Sequence, residues 1–260
     1  MIPDSSVTPG SSVAPDGSVT PGGSADTPDL ERRRRDLELN LSAVHDRIER
    51  ARRDAGRTDE LTLVVVTKFF PASDVDLLAG LGVTDIGESR DQEATAKLES
   101  LARRADLRVH FIGQLQSNKA GSVARYADVV QSVDRVKVVR ALDRGACAAG
   151  RVLDVTVQVA LADGEGRGGV PVDQAEALAD AVAGSTSLRL RGVMAVAPLG
   201  GDPHPAFARL REVSDGIRTS HPDATWISAG MSGDLEAAVA HGATHLRVGS
   251  AILGSRLSHR

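Results

Sequence analysis

From Leu61 onward the apolar positions of this chain alternate between two periods. Short runs rich in Val, Ile, Leu and Thr read as strands: Leu61 to Thr67, Val83 to Gly87, Arg108 to Gly113, Asp128 to Ser132, Val152 to Leu161, Leu188 to Ala195, Ala224 to Ser228 and Thr244 to Val248. Helical spacing follows most of them, at Asp74 to Leu81, Asp91 to Ala105, Asn118 to Tyr126, Arg135 to Ala149, Asp173 to Val182, Ala206 to Ser220 and Asp234 to Ala240. Regular strand and helix alternation implies a parallel sheet with helical crossovers. Eight such units over about 200 residues match an α/β fold of the (β/α)8 TIM-barrel type, whereas a doubly wound sheet more often stops near five or six strands. A barrel also predicts that every strand's carboxyl end faces one shared site.

Ahead of Leu61 the pattern changes. Residues 1–29 are Ser, Val, Thr, Pro, Gly and Asp in a loose repeat: Ser6-Val-Thr-Pro-Gly10, Ser12-Val-Ala-Pro-Asp-Gly17, Ser18-Val-Thr-Pro-Gly22. Such a segment buries too little surface to offset its ordering entropy, so a disordered tail is expected, with the barrel over 30–260. Asp29 is the expected cap of a long helix in which Leu37, Leu39, Leu41, Val44, Ile48 and Ala51 recur at roughly helical spacing. The basic run Arg32 to Arg35 reads as a solvated face.

Composition narrows the function. The chain has 260 residues, 41% hydrophobic and 25% charged, which suits one larger soluble domain. A net charge of −4 and 2% aromatic residues argue against a nucleic-acid surface, which needs a basic face or stacking platforms. Cys147 has no partner in sequence and reads as a small apolar residue late in a helix. No apolar run reaches membrane-span length and the N-terminus lacks a secretory pattern, so the expected compartment is cytoplasmic.

The strand ends carry the chemistry. Lys68 closes the first strand, just before Pro71. A lysine among apolar groups loses solvation in its charged form and becomes a better nucleophile, although position alone favours an ordinary surface lysine at a strand end. Ser232 precedes the predicted helix start at Asp234, and Gly249-Ser250 leads from the last strand into another helical turn. Unpaired N–H groups and close-approaching glycine make such loops a candidate phosphate cup, although spacing alone is equally met by two ordinary polar turns. The Gly164, Gly166, Gly169 spacing fits a dinucleotide fingerprint, but the next strand ends without the required acidic residue. His241 and His245 are separated by Gly242 and share no helical face, and His110 reads as a core or strand-end histidine. A nucleophilic lysine beside a phosphate cup suggests a Schiff base with a phosphorylated aldehyde, for which pyridoxal 5'-phosphate (PLP) is the cofactor that fits.

Seven ordered segments carry a resemblance. They are Val66-Thr67-Lys68 with Pro71, Gly87-Glu88 with Gln92-Glu93, His110 to Lys119, Ser132 to Arg135, Arg191 to Met194, Ser228 to Ser232 with Asp234 and Glu236, and Arg247 to Ser250. Together they resemble the YggS/PROSC family of PLP homeostasis proteins, single barrels similar to the N-terminal domain of alanine racemase. The resemblance spans roughly Leu37 to Arg256. It implies that Lys68 is the aldimine lysine, that Ser232, Gly249 and Ser250 bind phosphate, and that Ser228 and Gly230 shape the same loop. Arg247 is similar in place to the arginine facing the pyridine nitrogen in racemases of this fold. Arginine gives up no proton, so the ring would be a poor electron sink. Ser89 stands where the family usually has Asn, Val159-Ala160-Leu161 lacks the family's middle polar residue, and Arg167 replaces a frequent Lys. Racemisation on this scaffold needs a second base, a tyrosine brought by another domain. The only tyrosine, Tyr126, lies in a predicted helix without an obvious route to the cofactor. The expectation is a non-catalytic, monomeric PLP binder in vitamin B6 homeostasis, with apo PLP-dependent enzymes as possible recipients. The alternatives are a low-activity racemase and a cofactor-free Schiff-base aldolase.

Overall fold

A computed structural model describes residues 26–161, 168–198 and 200–254. Eight strands form a closed, all-parallel barrel in sequence order: β1 (Thr62–Val66), β2 (Asp85–Glu88), β3 (Arg108–Phe111), β4 (Val129–Val133), β5 (Leu153–Gln158), β6 (Leu188–Met194), β7 (Trp226–Ser228) and β8 (His245–Val248). Closure comes from β1 lying beside β8, with Thr62 opposite His245 and Val65 opposite Val248. The expected TIM-barrel architecture is therefore the observed one. Strands buried on both faces read as continuous apolar runs, and β4, Val-Val-Gln-Ser-Val, is buried at every position.

The helices are α1 (Asp26–Asp54), α2 (Ala72–Gly80), α3 (Asp91–Glu99), α4 (Ala120–Tyr126), α5 (Val136–Ala148), α6 (Ala175–Ala183), α7 (His204–Ser220), α8 (Leu235–Ala240) and α9 (Ser250–Leu253). Two differ most from the sequence pattern. α1 begins at Asp26, so Asp29 sits inside its first turn instead of capping it. Leu37, Leu41, Val44, Ile48 and Ala51 form the buried stripe, whereas Leu39 is 70% exposed, because a step of two residues turns it about 200° away from Leu37. α3 stops at Glu99 rather than Ala105. Ser100 donates its hydroxyl to the Lys97 carbonyl, and Asp76 accepts the N–H groups of Ala102 and Arg103, which turns the chain into a short 3₁₀ segment at Arg104–Asp106. The stretch expected as a disordered tail lies almost wholly outside the described residues, as do Gly164, Gly166 and Arg167.

One backbone position fixes the β6–β7 pairing. Gly192 has φ +149°, and a Cβ there would stand 2.0 Å from the Trp226 carbonyl oxygen, so only glycine lets the two strands close. α1 packs against α2, α8 and α9. Arg33 forks onto Asp74 of α2 at 3.0 and 2.7 Å and also donates to the Leu253 carbonyl of α9. Asn40 donates to the Ile252 carbonyl, 2.9 Å away.

Candidate functional site

The strand ends meet at a cavity of about 570 Å³ in the carboxyl mouth of the barrel, within the size range of small-molecule sites. Lys68 reaches it from β1, Ile112 from β3, Ala197 from β6, Ser232 from β7, and Arg247 and Gly249 from β8. Apolar walls with a few convergent polar groups are the usual makeup of a cofactor pocket.

Lys68 is half-buried, with Nζ 5.9 Å from the Phe69 ring centre. Its backbone is held from both sides by α3. Lys97 donates to the carbonyl of Thr67, immediately before it, at 2.8 Å, and Glu93 accepts the N–H of Phe69, immediately after it. Phe69 adopts φ +70°, an unfavourable conformation for a bulky residue that the surroundings must enforce. Below this turn, Lys97 also binds the fully buried Glu88 at 2.8 Å, and the Thr67 hydroxyl donates to the same Glu88 oxygen at 2.7 Å. Burial pushes the Glu88 carboxyl above the usual range, against the pull of Lys97. This anchoring of the lysine turn was missing from the sequence reading, although Glu88 and Glu93 belong to the segments that carried the resemblance.

Ser232, Gly249 and Ser250 come together at one end of the cavity. Ser250 donates its hydroxyl to Ser232 Oγ at 3.2 Å, and the Ala251 N–H approaches the same oxygen at 3.4 Å. Ser232 is half-buried and Ser250 exposed, so both hydroxyls can meet a ligand. The loop is braced from outside, since Arg47 of α1 donates to the Ser232 carbonyl at 3.2 Å and forks onto Glu236. Two serine hydroxyls beside backbone N–H groups at a helix start suit a phosphate chemically.

Arg247 forms part of the cavity wall. Its guanidinium is buried and donates to Ser228 Oγ at 2.6 Å and to the Ala195 carbonyl at 2.8 Å. Burial lowers its pKa to about 10, which leaves it charged at neutral pH. Ser228 and Gly230 are placed otherwise. Ser228 is fully buried beneath Arg247, outside the cavity lining. Gly230 packs behind the loop with φ +88°, its carbonyl accepting the Arg247 N–H at 2.9 Å, and a Cβ there would stand 2.7 Å from Ala238 Cβ.

The residues set aside in sequence occupy other places. His241 pairs with His204 at 3.1 Å and His245 stacks on Trp226 with ring centres 4.2 Å apart. Among the described residues no three metal-ligating side chains converge. Tyr126 ends α4 half-buried, outside the cavity lining, and burial together with Asp91 raises its hydroxyl pKa. Ser89 lies in a separate polar depression with Asp91, Gln114 and Lys119. Cys147 is exposed near the end of α5. Among the described residues no helix is long and apolar enough to cross a membrane.

The residues present fit PLP by their donor set: an amine, a hydroxyl cup and a guanidinium around one pocket. The comparisons agree. Residues 39–257 match the family model for the alanine racemase N-terminal domain. The PLP homeostasis protein of Mycobacterium tuberculosis (strain ATCC 25618 / H37Rv) is 43% identical over 244 residues, covering 86% of this chain and 94% of that protein. Its namesake in Escherichia coli (strain K12) is 35% identical over 231 residues, covering 85% and 97%. The structure of PipY from Synechococcus elongatus PCC7942 with PLP bound superposes with a TM-score of 0.75 at 30% identity, covering 84% of this chain and all of that one. The chain belongs to the PLP homeostasis protein family, whose single barrel is of the alanine racemase N-terminal type.

Proposed function

We propose that this protein binds and releases PLP for vitamin B6 homeostasis, without sustained turnover. The observation that carries the reading is the convergence of Lys68, the Ser232 and Ser250 hydroxyls and Arg247 on one cavity. Lys68 supplies the amine that joins the aldehyde. Ser232, Ser250 and the backbone at Gly249 take the phosphate, and Ser228 and Gly230 act behind them by supporting Arg247 and the loop. When bound, PLP supplies an electrophilic aldehyde and a ring able to delocalise charge. Arg247 limits the second property, because a donor that keeps its proton leaves the ring nitrogen unprotonated.

The names of the relatives, homeostasis proteins and not enzymes, support a carrier. So does the cavity lining, whose ionisable side chains among the described residues are Lys68, Asp234 and Arg247. Asp234 is occupied by the Met231 N–H at 2.6 Å. The reading extends to a cytoplasmic monomer that hands PLP to apo-enzymes, and the position of the cavity in the barrel mouth suits such a transfer.

Borohydride reduction followed by peptide mapping tests the reading. A pyridoxyl group is expected on Lys68, and Lys68→Ala is expected to lose both the label and the absorbance of bound PLP. A label elsewhere, or none, overturns it. Turnover of single-enantiomer amino acids well above that of free PLP would favour the racemase, and a colourless preparation that remains unlabelled with PLP would favour the cofactor-free aldolase.

A further inference from the structure

Beneath the cavity, four hydrogen bonds run in line through the barrel. Arg247 Nη1 meets Ser228 Oγ at 2.6 Å, and Ser228 Oγ meets Gln131 Oε1 at 2.7 Å. Gln131 Nε2 meets His110 Nδ1 at 2.8 Å, and His110 Nε2 meets Asp85 Oδ1 at 2.8 Å. Arg247, Ser228, Gln131 and His110 are all buried. The Ser228–Gln131 bond joins β7 to β4, which are not neighbours in the sheet, so it crosses the lumen. Asp85, at the amino end of β2, also accepts from the Thr84 hydroxyl at 2.7 Å.

The direction of this chain is not free. A guanidinium can only donate, so Ser228 Oγ must accept from Arg247 and spend its single proton on Gln131. Gln131 must then present its carbonyl to Ser228 and its NH2 to His110. His110 Nδ1 must therefore be an acceptor, which places the ring proton on Nε2, facing the Asp85 carboxylate. Every member donates toward Asp85, and hydrogen bonds aligned in this way polarise one another.

Resting on the reading of the cavity as a PLP site, we propose that Gln131 and His110 are positioning residues for Arg247. They hold the Ser228 hydroxyl turned as an acceptor, so that one face of the guanidinium is committed to Ser228 and the Ala195 carbonyl. What remains of the guanidinium is presented to the cavity as a fixed donor. A hydroxyl released from Gln131 could turn its proton toward the cation and push it off this seat. Neither residue lines the cavity.

Histidine-selective 15N NMR of the whole protein, with and without PLP, tests the first half. His110 is expected to carry its proton on Nε2 and to stay neutral at the pH where a free histidine takes up its second proton. The charged and titratable groups around the ring are Asp85 on β2, Arg108 on β3, Asp128 ahead of β4 and His245 on β8, 6.3 Å away between ring centres. Gln131→Glu, which offers His110 an acceptor where Gln131 offers a donor, is expected to move a proton onto Nδ1. A purely packing role for Gln131 predicts no such change. Gln131→Leu tests the second half: it should still accept the borohydride label on Lys68, yet release PLP on dialysis about five- to tenfold faster, the scale of one ordinary neutral hydrogen bond. A shift in the absorbance of bound PLP should accompany the faster release.

A wild-type His110 protonated on Nδ1, or one titrating near pH 6.5, overturns the proposal. So does a folded Gln131→Leu with unchanged release and absorbance. If Gln131→Leu fails to fold, release and absorbance are read in Gln131→Glu, where unchanged values count against the proposal. Loss of the Lys68 label in the wild type would instead overturn the PLP reading, leaving the tautomer result to stand.

Discussion

Lys97 shows how a single charge can organise the site without touching the cavity. It is 8% exposed and joins the Thr67 carbonyl to the fully buried Glu88, holding the turn that presents Lys68. Removing one member of a buried pair leaves the other uncompensated, at a cost of about 3–5 kcal/mol. Lys97→Met is therefore expected to lower unfolding stability on that scale in urea titrations, and to slow labelling of Lys68 as the turn loosens. A loss below about 1 kcal/mol would mean that Glu88 takes up a proton without strain. Lys68 could be singled out from sequence only once the other strand ends were read with it, because a lone charge at the end of a β-branched run is by itself equally an ordinary surface lysine. Lys97 could not, because in sequence it is one of many charged residues on a helix, and its burial depends on where α3 lands.

Elements carry the next layer. α1 packs outside the barrel, yet its Arg47 braces the Ser232 carbonyl and its Asn40 and Arg33 hold the end of α9. The hydroxyl cup thus has its rear wall in a helix that the sequence reading gives as an amphipathic stripe with a solvated basic run, of which Arg33 is instead half-buried against Asp74. Arg47→Ala is expected to quicken PLP release severalfold while costing under about 1 kcal/mol of stability, since its bond to Glu236 is largely solvent-exposed. Release measured by transfer to an apo-enzyme acceptor checks this, and unchanged release would remove α1 from the site. The strand and helix order was readable because hydrophobic period is local. Element ends moved where a side chain intervened, as at Ser100 and Asp76, which no periodicity records.

On the scale of the whole molecule, buried histidines make stability depend on pH. Burial lowers the pKa of His110, against the Asp85 contact, and that of His245 to about 3. Free histidine titrates near 6.5, so below that value the unfolded chain binds protons that the folded protein refuses. The stabilisation is complete above about pH 6.5 and is lost as pH falls toward the folded values, at up to about 1.4 kcal/mol per pH unit for His245. Urea midpoints should fall steadily from pH 7 to pH 5, and His245→Phe should flatten the slope. A midpoint independent of pH over that range would contradict the burial argument.

The sequence by itself determined the barrel and the family, and it picked out Lys68, Ser232, Gly249 and Ser250 as candidates, because each is a matter of local period or of residue types in a fixed order. Tertiary structure alone decided which polar residues share the lumen. His110, Gln131 and Ser228 are scattered over three strands, and only barrel closure brings them into one line beneath Arg247. It also decided that Ser228 lies buried under Arg247 and Gly230 behind the loop, since strand parity and backbone dihedrals set which way each faces. Short-range patterns encode elements, whereas hydrogen bonds across a lumen depend on the register of every strand between their ends.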